Sequence, residues 1–403
     1  MVSAVVKGKK SENGDIDSRF ESLASLPTRI LHPQCIMHNQ EILICGGNYV
    51  SDCYSYNILN NKWKIINSYP KSILLIGHCV VKLHSNKKAN EMTLLSFGGQ
   101  QNHALTMSYR SVWDNKDKRK HVNQWFPLTK RNGKRVSIGR KQDDYEGARA
   151  IVGGANNHLL FITHPPKNMA VFNLDTFQMV KVVQLPLSGE YNQSWYHGFV
   201  CKASTPKNAK SEMILFCERK VLLIEYDEDN SNHFRCNDMV TYATTQPCSE
   251  YAYVRVDCSV LFFGGCSKDG TADSKTVYRY SVEHNNWMKY DATMPLPLRA
   301  CTSVLSEDCS FVYIIGGGRD YNKQETALLL RTKVQDWMKQ PTTTEAQWMA
   351  QQKQRAELVT IRKELEGINE YFNVKDWKVK NVIQKKKYVK FAIDYLQKKK
   401  KKN

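Results

Sequence analysis

The sequence predicts an all-β fold: a six-bladed β-propeller of four-stranded blades, followed by a short basic α-helical tail. Three observations carry this. An apolar strand closed by two glycines recurs, it recurs at a fixed spacing, and paired aromatic rings follow it. Glu41–Gly47 (EILICGG) returns as MTLLSFGG up to Gly99, as SVLFFGG up to Gly265 and as FVYIIGGG up to Gly318. Gly47 and Gly99 stand 52 residues apart, and so do Gly265 and Gly317. A period near 50 built from short strands is the pattern of a propeller, in which each unit is one radial sheet.

The first unit shows four strand-like pieces: 34–38, 41–45, 53–59 and 62–66, with turn formers at Asn39-Gln40 and Asn60-Asn61. Each is short, rich in β-branched or aromatic residues, and bounded by turn residues. Tyr56 and Trp63 are seven apart, as are Tyr280 and Trp287; Phe172/Met179 and Leu330/Trp337 keep the spacing with other residue types. Large rings at fixed places fill the space between neighbouring sheets. The glycines Gly46, Gly47, Gly98, Gly99, Gly264, Gly265, Gly316 and Gly317 permit positive φ and close backbone approach where six sheets crowd the axis.

Between Gly99 and Gly265 there is room for two more units. Gly153-Gly154 follows RAIV and precedes NNHLLFITHPP, so it belongs to the turn before the second strand. The counterpart of the diglycine is then His164-Pro165, and in the fourth unit Glu218-Arg219 after MILFC. Residues 34–339 divide into six blades of 51 residues.

The diglycine strand, the seven-residue ring spacing and a Pro-x-Arg before a first strand (Pro27-Thr28-Arg29 and Pro297-Leu298-Arg299) resemble the kelch repeat over roughly residues 19 to 339. The resemblance implies a propeller that usually binds proteins. It names no partner, since a fold does not specify a function.

The net charge of +19 is concentrated: residues 339–403 hold +10, residues 116–141 hold +9, and the rest sums to zero. Most of the 12 cysteines, among them Cys45, Cys79, Cys217, Cys258 and Cys301, sit in apolar strand contexts without a C-x-x-C, which reads as buried reduced thiols in a cytoplasmic protein. The amino-terminal residues lack a secretory signal's apolar core, and no run of apolar residues is long enough to span a membrane. Too few residues precede the first blade for an adaptor domain such as BTB or F-box, so a stand-alone propeller is expected.

In chain order, residues 1–18 form a polar leader expected to be disordered, and 19–340 the propeller. Residues 19–27 precede Thr28-Arg29 as an outer strand would, and would close the ring as the fourth strand of blade 6. The rival closing strand is Asp336–Lys339, which contains Trp337. Residues 114–147 form a long basic insertion carrying Lys118, Arg119, Lys120, Arg131, Lys134 and Arg135, read as a solvated loop or as a dock for an acidic partner. Beside it, Asp143, Asp144 and Glu146 read as self-neutralising. Tyr191, Trp195 and Tyr196 cluster before blade 4, as a contact site or as the start of an inner strand. Beyond Pro341, Thr342–Thr344 cap a helix whose apolar seam Leu358, Ile361, Leu365, Ile368 and Phe372 would pack on the ring. The tail, 341–403, ends in lysine runs, for which a nuclear address is an alternative reading.

No P-loop, dinucleotide fingerprint or zinc spacing is present, and no catalytic, cofactor or metal residue is assigned. Gly316–Lys323 is repeat punctuation first, with Arg319 as a contact residue. The expected function is a non-enzymatic scaffold that binds other proteins with acidic surfaces. The alternatives are an enzyme with a site in the central channel, and nucleic-acid or anionic-membrane binding through the two basic segments.

Overall fold

The computed structural model describes residues 19–86, 91–114, 123–140, 142–187, 196–202, 210–217, 220–230, 233–239, 249–267, 272–319 and 324–370. They form six antiparallel four-stranded sheets in a ring. Blade 1 runs from Cys35 to Ser68, blade 2 from His78 to Pro127, blade 3 from Arg149 to Gln184, blade 4 from Gly198 to Met239 and blade 5 from Ala252 to Thr293. Blade 6 takes Arg299–Leu305, Phe311–Arg319 and Leu329–Lys333, with a two-residue strand Gln324–Glu325 beside its second strand. Its outer strand is Phe20–Ser22, from the other end of the chain, pairing Phe20 with Thr332 and Ser22 with Leu330. Arg331 donates from Nε and Nη2 to Glu21 across that ladder.

Trp337, the rival for that place, is in no strand. It follows a short 3-10 turn, Val334–Asp336, and is fully buried between blades 5 and 6 against Phe20, Phe263 and Tyr290. The seven-residue spacing from Leu330 is therefore coincidental in blade 6, where Leu330 pairs with Ser22. In blades 1, 5 and 3 the spacing is real, because Tyr56 faces Trp63, Tyr280 faces Trp287 and Phe172 faces Met179 across the outer hairpin. In the first two, an asparagine at positive φ makes the turn (Asn61, φ 50°; Asn285, φ 48°), and its side-chain oxygen accepts the tyrosine hydroxyl.

The hydrophobic core is six cores, one in each gap between blades. Ile42 and Ile44 pack toward blade 6, while Leu43 and Cys45 pack toward blade 2. Blade 3 divides Leu160 and Ile162 from Leu159 and Phe161 in the same way. Successive side chains point to opposite faces, so a strand with sheets on both sides must be apolar throughout. This is why the second strands read as unbroken apolar runs.

The diglycines are required by the neighbouring blade. A Cβ on Gly264 (φ 70°) would lie 2.3 Å from the Leu298 carbonyl, and one on Gly316 (φ 64°) 2.7 Å from that of Ile30. Both carbonyls belong to the chain leading into the next blade, and they accept from Gly265 (2.8 Å) and Gly317 (2.9 Å). In blade 3, Gly153 ends the inner strand, Gly154 lies in the turn, and the second strand finishes at His164, as the spacing predicts.

The same bonds correct one repeat alignment. Ile30 and Leu298 occupy equivalent places, so Arg29 and Arg299 stand two positions out of register and the two Pro-x-Arg triplets do not superpose. Cys45, Cys79, Cys217 and Cys301 are buried free thiols, but Cys258 is exposed in a turn.

The helix Thr343–Glu370 is anchored through a reciprocal cap. Glu345 N–H donates to Thr342 Oγ1 (3.2 Å) and Thr342 N–H to Glu345 Oε2 (2.9 Å). The cap is tied to blade 5, as Thr342 Oγ1 donates to Asp291 and Asp291 N–H donates to Glu345. Trp348 and Met349 pack on the adjoining cores. Of the predicted seam, only Leu358 has a described side chain. The leader and residues 371–403 lie outside the described residues. Among the described residues, no helix is long and apolar enough to cross a membrane.

Candidate functional site

Six residues, one at the entry to each inner strand, surround the axis: His32, Gly77, Gly147, Tyr196, Glu250 and Ala300, the last being the second residue of its strand. All six have positive φ, between 48° and 67°. Four backbone hydrogen bonds link them in two runs of three. His32 N–H donates to Ala300 (2.7 Å) and Ala300 to Glu250 (2.8 Å); on the other side Tyr196 donates to Gly147 (3.1 Å) and Gly147 to Gly77 (2.8 Å). Gly77 N–H donates to the Asn48 side chain instead (2.9 Å). The collar satisfies backbone donors that the turn into each blade would otherwise leave without partners. It also holds four non-glycine residues in the left-handed region, a strain that persists only where the surroundings enforce it.

Two collar side chains meet across the axis. The rings of His32 and Tyr196 stack with centroids 3.7 Å apart and planes at 19°. Blades 1 and 4 are diametrically opposite in a six-bladed ring, so this stack lies across the axis. The Tyr196 hydroxyl reaches Asn48 of blade 1, and the Arg149 guanidinium of blade 3 sits 5.7 Å from the tyrosine ring. Burial, followed by Arg149 and Arg299, pushes the pKa of His32 down to about 3, so the imidazole is neutral in the stack.

Behind the collar, His78 donates from Nε2 to the Cys45 carbonyl (2.9 Å), and its Nδ1 has no partner. Burial, with His103 next, lowers its pKa to about 3, and burial lowers that of His103 to about 4. An unfolded chain protonates both near pH 6.5, while the native state refuses the protons, so stability is lost as pH falls from 6.5 toward those values. Each histidine is expected to cost about 1.4 kcal/mol per pH unit over that window. Urea titrations between pH 7 and pH 5, above the carboxylate range, check this; a flat profile contradicts it.

The predicted contact residues are dispersed. Tyr196 is buried in the axial stack. Lys118, Arg119, Lys120, Tyr191 and Trp195 lie outside the described residues. Arg131, Lys134 and Arg135 are exposed on a small hairpin, 129–135, closed by a Thr129–Arg135 bridge and by Lys130 N–H donating to Lys134. The insertion that carries it is anchored by Leu128, Val136 and Ile138, buried between blades 2 and 3. Asp143 is neutralised locally. Burial raises its pKa, but the Arg140 guanidinium (2.8 Å) and backbone N–H outweigh that and hold it below the usual value. Arg319 is exposed at the end of a blade 6 strand, beside Arg29 in a cleft of about 540 Å³.

Sequence reasoning missed His32, Asn48, Arg149 and Arg29. The collar residues are His, Gly, Gly, Tyr, Glu and Ala, so no residue type recurs to reveal the position. Among the described residues, no group of three or more histidines, cysteines or carboxylates is placed to hold a metal ion.

No protein-family model matches the chain, and no curated protein matches it. Solved structures do. The structure of YjhT, one of 1066 matching chains, superposes with a TM-score of 0.52 at 13% identity, covering 76% of this chain and 96% of YjhT. At that identity the likeness shows the propeller fold alone.

Proposed function

We propose that this chain is a non-enzymatic protein-interaction module that docks partners on the face where the collar and the loops between second and third strands emerge. One observation carries the reading: the His32–Tyr196 stack lies across the axis, so this face offers a continuous surface where an open channel would offer a pocket. Apolar side chains project from it. Tyr49 is 72% exposed at positive φ, and Leu74, whose neighbour Leu75 accepts from Tyr49 N–H, is 40% exposed. Exposed apolar groups on a face that also carries the exposed Arg29 and Arg319 suit partners with acidic surfaces. The resemblance to kelch repeats, which usually bind proteins, supports the same reading.

Site-specific photo-crosslinking in cells tests it. A photoreactive residue at Tyr49 is expected to capture partner proteins. The same residue at Leu59, 75% exposed in an outer-hairpin turn on the opposite face, is expected to capture few. Equal capture from both, or capture from Leu59 alone, rejects the docking face.

A second reading, a channel enzyme, draws on Arg149, whose charge acts on His32, His78 and Tyr253 around the axis. It requires Tyr196 to leave the axis before substrate could enter.

A further inference from the structure

We infer that the cleft between Arg29 and Arg319 is a recognition site for an acidic peptide segment of a partner protein. The inference rests on the interaction-module reading and gives it a location and a ligand chemistry. The cleft, about 540 Å³, lies where the chain leaving the closing strand passes blade 6, and is lined by Ser25, Arg29, Arg319, Gln324, Glu325 and Thr326 with two apolar neighbours. Its volume is that of a small-ligand site. Its floor is set by backbone bonds: Ile30 N–H to Thr326 (3.2 Å), Leu26 N–H to Ala327 (2.9 Å) and Thr326 N–H to Gly317 (2.8 Å).

Charge decides what fits. Four described arginines on the ring are answered by carboxylates, Arg110 by Glu91, Arg140 by Asp143, Arg299 by Asp273 and Arg331 by Glu21, and Arg149, Arg255 and Arg279 by backbone carbonyls. The guanidinium groups of Arg29 and Arg319 form no hydrogen bond or ion pair with the described residues, although both line one concavity with Glu325. Arg131, Arg135 and Arg235 also lack such partners, but the first two stand on an exposed hairpin and the third on the outer strand of blade 4, away from the cleft. The Thr326 hydroxyl beside the two cleft arginines is buried with no partner. Two guanidinium forks call for two carboxylates, which they grip in a bidentate manner. Glu325 and Gln324 at the rim call for donors. An extended peptide supplies both, carboxylates from its side chains and N–H groups from its backbone. A lone inorganic anion lacks the length to reach both arginines and the rim, and Glu325 opposes it.

Fluorescence anisotropy on the full chain, with a fluorescein-labelled peptide of alternating glutamate and glycine as probe, tests the site. The wild-type chain is expected to bind it. Arg29→Gln and Arg319→Gln are each expected to weaken binding about fivefold, and the double variant at least tenfold. A triple change on the hairpin, Arg131→Gln, Lys134→Gln and Arg135→Gln, is expected to change it less than twofold. Both cleft arginines are exposed, so the variants should melt with the wild type, which a thermal scan checks.

No binding by the wild type, a double variant within twofold of it, or an equal loss from the hairpin triple overturns the site. So does displacement of the probe by an equal concentration of inorganic phosphate, which marks a simple anion site. The docking-face reading fails separately. If the cleft binds the peptide while Tyr49 crosslinks nothing, the patch around Tyr49 is wrong and the cleft stands; if Tyr49 crosslinks persist while the double variant loses nothing, the converse holds.

Discussion

Removing residues 1–27 is expected to lower the melting temperature by roughly 10 °C, the largest effect of any change proposed. Three residues, Phe20–Ser22, complete blade 6 and join the two ends of the chain into one ring. Phe20 and Leu26 are buried, at 5% and 6% exposure, in the gaps that flank blade 6. Just beyond the strand, Leu23 and Leu26 donate N–H bonds to Leu329 and Ala327. Ala24 accepts the Trp63 indole N–H at 3.0 Å, so the same segment also braces blade 1. Losing it exposes a strand edge as well as apolar surface, and such edges invite aggregation. Differential scanning calorimetry of the truncated chain gives the answer, and an unchanged melt means that the ring holds without its terminal ladder.

Trp337→Ala is expected to cost about 3–5 kcal/mol, the usual range for truncating a fully buried large ring. The indole packs on the rings of Phe20, Phe263 and Tyr290, with centroids 5.6, 5.8 and 4.9 Å away, and donates to Thr332 Oγ1 at 2.9 Å. Its own carbonyl accepts the Tyr290 hydroxyl. Trp63, only half-buried in an outer hairpin, is the control, and its truncation is expected to cost less than half as much. Because Trp337 packs against Phe20, Trp337→Ala and Phe20→Ala should be non-additive by about 1 kcal/mol in urea denaturation. Strict additivity would show that the closing strand and the indole stabilise the ring independently.

The two variants mark the boundary of what could be read in advance. Strand periodicity, the second-strand apolar runs and the outer-hairpin rings were legible, because each blade repeats the same local problem: a strand buried on both faces, a tight turn, a ring to fill a wedge. The position of the true third-blade strand was legible for the same reason. Local sequence also announced a helix cap within Thr342–Thr344, but not that Glu345 would return the bond or that the cap would be tied to Asp291.

Tertiary structure chose between the two closing strands that the sequence offered, and it alone decided the collar and the cleft. Ring closure brings Ser22 beside Leu330, some three hundred residues away, and no spacing within a repeat encodes that pairing. The Pro-x-Arg triplets looked equivalent, yet backbone bonds to Gly265 and Gly317 put them two residues out of register. At the axis, backbone geometry sets the position and leaves the side chain free to vary. A histidine and a tyrosine from opposite blades can therefore meet there without any motif, and an arginine from blade 6 can share a cleft with one from the chain's beginning.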